Sequence, residues 1–68
     1  MLNRQVIRRH IKNTIDQGGL SRYMMLDILS AINAGQSETK KTEMKTILVE
    51  VLFTYYPREA PVFIGMVY

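Results

Sequence analysis

The sequence predicts a mainly α-helical single domain over residues 1–68, with three packed helices and a short extended C-terminal segment. Three observations lead there. Ile7, Ile11 and Ile15 recur at four-residue spacing, which is the period of one helix face. Gly18-Gly19 and Asn33-Ala34-Gly35 interrupt the chain where such faces run out, and Ser21 and Ser37 follow as N-cap residues. Tyr56-Pro57 ends the last long apolar run, because the residue before a proline is pushed out of the helical region.

The first helix is read from Leu2 to Gln17. Val6 widens its isoleucine ridge, while Gln5, Arg8, Arg9 and Lys12 fall on the other side and Arg4 sits at the border. No acidic residue precedes Asp16. A helix held by one face and presenting cations on the other suits phosphates, an acidic protein surface or an anionic membrane.

Gly18-Gly19 closes this helix, since a left-handed cap position excludes most side chains. Ser21 caps a second helix from Arg22 to about Asn33, with Leu20 and Met25 placed to staple across the cap. Met24, Met25, Leu26, Ile28, Leu29, Ala31 and Ile32 wrap more than half of its circumference. That width predicts a helix contacted from two sides.

Ser37 caps the third element, and Glu38 lies near the positive end of its dipole. From Met44 to Tyr56 two periods compete. As a helix, Met44, Ile47, Leu48, Val51, Leu52 and Tyr55 share a face; as a strand, Ile47, Val49, Val51, Phe53 and Tyr55 alternate with Leu48, Glu50, Leu52 and Thr54. The helix is preferred because Thr39 to Lys45 contains no breaker. Pro61 to Tyr68 reads as extended, with Val62, Phe63, Ile64 and Val67 as strand formers and Gly65 as a weak point. If Ile47 to Tyr55 is instead a strand, the two segments make a C-terminal β-hairpin. The fold is then α+β, with a winged-helix-like element order.

A chain of 68 residues has room for one core, and it buries only about 60% of the surface its unfolded form exposes. Small domains supplement such cores with disulfides, a metal or a partner chain. Cysteine is absent and His10 is the lone histidine, so no metal and no cofactor are expected. A homodimer is expected instead. The net charge of +3 and pI of about 9.5 allow attraction to polyanions without requiring it. No apolar run reaches the ~20 residues of a membrane span, and Glu50 interrupts Ile47 to Phe53. Cytoplasm is the expected location. The arginine-rich start shares its amphipathic character with mitochondrial presequences, yet its isoleucines serve equally as core.

Catalysis is discounted. Asp16, Asp27, Glu38, Glu43, Glu50 and Glu59 are scattered over different elements, and no nucleophile motif or glycine-rich phosphate loop occurs. Glu43 and Glu50 read as a solvent stripe, His10 as partly buried beside Val6 and Ile7, and Met24 and Met25 as core filling. The basic residues form two groups, Arg4, Arg8, Arg9 and Lys12 on the first helix and Lys40, Lys41 and Lys45 on the third. The second and third elements, joined by the turn from Asn33 to Gln36, have a helix-turn-helix layout that would offer Lys40, Lys41, Thr42 and Lys45 to a DNA groove.

The expected function is therefore that of a non-catalytic, nucleic-acid-binding regulator. The alternative is a modulator or inhibitor that docks on a larger protein through Tyr55, Tyr56, Val62, Phe63, Ile64 and Tyr68. The same C-terminal segment is expected to join two copies as an antiparallel strand pair. Membrane-surface association is disfavoured, because the apolar face of the first helix lacks tryptophan and phenylalanine.

Overall fold

Asn3 opens the first helix. In the computed structural model, which describes residues 3–34 and 37–68, its Oδ1 accepts the backbone N–H of Val6 at 2.9 Å and so satisfies a donor left free at the helix start. This helix, α1, runs Arg4–Gly18; α2 runs Arg22–Asn33, α3 Glu38–Tyr55 and α4 Ala60–Val67. The serine caps are formed: Ser21 Oγ accepts from Met24 N–H at 3.1 Å, and Ser37 Oγ accepts from Lys40 N–H at 3.3 Å. The expected start at Leu2 and the Gly35-Gln36 part of the second turn lie outside the described residues.

Gly19 ends α1 with φ 74° and ψ 159°, a conformation open in practice only to glycine. The chain then turns directly into the Ser21 cap. Leu20 packs against the core beside the fully buried Met25, as the staple requires.

One apolar core joins all four helices. It takes Ile7, Ile11 and Ile15 from α1, Met25, Ile28, Leu29 and Ile32 from α2, Ile47, Leu48, Val51 and Leu52 from α3, and Ala60 and Val67 from α4. Both α2 and α3 touch every other helix, whereas α1 and α4 do not meet. The broad apolar face of α2 is thus contacted from two sides, although Leu26 and Ala31 remain exposed. The radius of gyration, 11.1 Å, matches the ~11 Å expected of a folded chain of this length.

The C-terminal third corrects the sequence reading. Residues 44–55 are helical as preferred, but the segment from Pro61 is not extended: Ala60–Val67 is a fourth helix, and no strand occurs among the described residues. Neither the three-helix fold with an extended tail nor the α+β hairpin alternative describes the molecule. Composition misled here, because Val62, Ile64 and Val67 are β-branched. The period was helical all along, with Ala60, Phe63, Ile64 and Val67 spaced three, four and seven apart, and Pro61 lies in the first turn, where its missing N–H costs nothing. Tyr56 C=O accepts from Glu59 and Ala60 N–H at 3.1 and 2.9 Å, carrying the chain from α3 into α4 through one tight turn. With its backbone bonded internally, this segment has no strand edge to offer a second copy.

A helix at this position makes Gly65 costly. It is exposed, its φ is ordinary, and a Cβ built there meets nothing within 4 Å. Gly65→Ala is expected to stabilise the protein by about 0.5–1 kcal/mol, read as a thermal midpoint higher by a few degrees. An unchanged or lower midpoint would contradict the helical assignment.

Candidate nucleic-acid interface

Residues four apart on α1 meet the second half of α3 along a single seam. Arg4 pairs with Glu50, and Arg8 Nη2 donates to Thr54 Oγ1 at 3.1 Å. Lys12 Nζ donates to Asp16 Oδ2 at 2.6 Å, while the Tyr56 hydroxyl donates to Asp16 Oδ1. The pairings advance in the same direction along both helices, so α1 and α3 run parallel. Tyr55 sits between them. Lys12 Nζ lies 4.8 Å and the Arg8 guanidinium carbon 5.8 Å from its ring centroid, within the range of cation–π attraction.

Beside this seam a depression of about 560 Å³ is lined by Gln5, Arg8, Arg9, Lys12, Asn13 and Tyr55. Three cations therefore share one concavity. The hydrogen bond to Asp16 raises the Lys12 ammonium above its ordinary value, with that carboxylate's charge adding to the effect and partial desolvation opposing it, so Lys12 is cationic at neutral pH. Arg8 Nε is buried and donates to no group among the described residues. Arg9 is exposed and forms no ion pair among them.

The structure divides the basic residues differently from the sequence reading. Arg4 is at the α1–α3 boundary, engaged by Glu50, and does not line the depression. Glu50 is accordingly a partner of Arg4 and no solvent stripe with Glu43. Lys40 and Lys41 belong to the opposite end of α3, and Lys45 to its middle. Lys40 precedes Glu50 by ten residues, about 15 Å along the helix axis, while Arg9 lies beyond Glu50 in the other direction. Along the bundle, Arg9 is thus about 20 Å from Lys40 and about 15 Å from Lys45. Within the second group, Lys41 Nζ lies 3.5 Å from Glu38 Oε1, and Lys45 is half-buried.

The C-terminal candidates also disperse. Tyr55 and Tyr56 are part of the α1–α3 seam, and Phe63 and Ile64 are half-buried on α4. Only Val62 and Tyr68 remain strongly exposed from that set, at 73% and 76%. His10 is exposed and not partly buried. With Thr14 and Asp27 it supplies the polar rim of an otherwise apolar groove of about 470 Å³ between α1 and α2, floored by Ile7, Ile11, Ile28 and Ile32.

Sequence reasoning missed Asn13 and the role of Tyr55. The first carries no charge to attract notice, although its four-residue spacing from Arg9 was visible. The second comes from a position 43 residues further along than Lys12, and only tertiary packing brings them together. Among the described residues, no helix is long and apolar enough to cross a membrane, and no group of three or more His, Cys, Asp or Glu side chains capable of holding a metal occurs. Comparison with protein-family models, curated proteins and solved structures returns no match to this chain.

Proposed function

We propose that this protein is a non-catalytic nucleic-acid-binding protein whose contact surface is the depression beside the α1–α3 seam. One observation carries the reading: Arg8, Arg9 and Lys12 line the same concavity, flanked by the amide donors of Gln5 and Asn13. The backbone that carries these cations is already fixed in a packed helix, so only their side chains are left to order on phosphates. The lysines at the start of α3 stand outside this surface.

Binding to random-sequence duplex DNA should then fall with salt as expected for about three neutralised phosphates, a slope near −2.7 in log affinity against log salt. Raising salt from about 50 to 200 mM would weaken binding roughly 40-fold. On random-sequence DNA every cation of the surface meets only phosphates, so Arg9→Ala should flatten the slope by about one unit, and Lys41→Ala should leave it unchanged. A fluorescence-anisotropy titration measures both. No binding at low salt, or a slope indifferent to Arg9, would overturn the proposal.

A second reading, docking on a larger protein, draws support from the open apolar groove between α1 and α2 and from the exposed Val62 and Tyr68. Self-association remains part of either reading on grounds of size alone.

A further inference from the structure

We infer that α1 is a recognition helix for the major groove of duplex DNA, with Gln5, Arg9 and Asn13 reading base edges and Arg8 and Lys12 meeting the flanking phosphates. The inference rests on the nucleic-acid reading of the same surface and names its target. Gln5, Arg9 and Asn13 stand four residues apart on one stripe, and all three are exposed. Arg9 points about 160° around the helix from the buried Ile11, so the stripe faces away from the core. Among the described residues none of the three side chains is committed to a hydrogen bond or ion pair within the protein.

Their chemistry is the point. Glutamine and asparagine can bond adenine N6 and N7 together, and arginine can bond guanine O6 and N7 together. A helix about 10–12 Å across fits a groove about 12 Å wide, provided its outer face is unobstructed. That face is clear from Gln5 to Asn13, and Asp16, the first acid, lies beyond it, engaged by Lys12 and Tyr56. Arg8 and Lys12 stand to one side of the stripe, toward α3. A single strand is disfavoured as the target: Tyr55, with Lys12 and Arg8 over its ring, is the one aromatic lining the depression, whereas single-strand grooves stack successive bases on several.

From Gln5 to Asn13 the helix rises about 12 Å, which spans about four base pairs. The preferred duplex should carry a G·C pair flanked on both sides by A·T pairs within that span. Selection from a randomised duplex library with the full chain, followed by anisotropy on the selected and scrambled duplexes, tests this. We expect tighter binding to the selected duplex, and a loss of about 10-fold in the selected-to-scrambled ratio for each of Gln5→Ala, Arg9→Ala and Asn13→Ala. Lys40→Ala, about 20 Å away, should keep the ratio. Circular dichroism of each variant checks that the fold persists. Equal affinity for all duplexes, or a preference for single-stranded DNA or RNA, overturns the inference while leaving the nucleic-acid reading intact. Absence of binding to every nucleic acid overturns both.

Discussion

Replacing Ile11 by alanine should cost about 2–5 kcal/mol of folding stability. Ile11 is 5% exposed at the middle of the α1 ridge, between Ile7 and Ile15, and its removal withdraws core from both neighbouring helices. Domains of this size hold only about 3–10 kcal/mol in total, so the variant should be near the limit of folding at room temperature. Because Ile11 also floors the groove beside α2, the space left behind opens toward solvent and can partly fill with water. That favours the lower half of the range. Ile15, with no exposed surface, leaves a closed void, and Ile15→Ala should cost more. Arg9→Ala, on the outward face, should stay within about 0.5 kcal/mol. Urea denaturation followed by circular dichroism gives all three values. Equal, small effects at Ile11 and Arg9 would mean that the ridge is not core.

The second large effect is expected at Gly19. With φ at 74° and ψ at 159°, its backbone occupies a region that costs a residue with a side chain about 1–3 kcal/mol. Alanine would also narrow the unfolded ensemble, a gain of about 0.4–1 kcal/mol, too small to reverse the sign. Gly19→Ala should therefore lower the thermal midpoint by several degrees. Its neighbour makes the control. A Cβ on Gly18 would meet the Met24 side chain at its terminal methyl, the far end of a flexible chain that can swing aside. Gly18→Ala should be much milder. If both substitutions are equally harmful, steric space rather than backbone conformation governs this turn.

What could be read from the sequence followed from local rules. The isoleucine ridge, the glycine break, and the caps at Ser21 and Ser37 each depend on residues within a turn of one another, and each is found in the structure. The Asn3 cap obeys the same rule, its side chain accepting from a donor three residues on. At α4 two local signals, composition and period, conflict, and the period of Ala60, Phe63 and Val67 prevails because the tight turn after Tyr56 places that face on the core shared with α2 and α3. The candidate interface was half legible. Arg8, Arg9 and Lys12 could be assigned to one side of a helix, but the engagement of Arg4 by Glu50 spans 46 residues, and no pattern in the chain announces it.

That separation shapes how the molecule can fold. The α1–α3 seam joins Arg8 to Thr54 across 46 residues and Asp16 to Tyr56 across 40. Contacts so distant must close a long loop before they return any stability. During synthesis, α1 leaves the ribosome well before the residues that will cover its isoleucines, with α2 alone as a partial cover. The helix that carries Arg9 is thus the one whose apolar side waits longest for shelter, because α3 is the last of its two neighbours to be made.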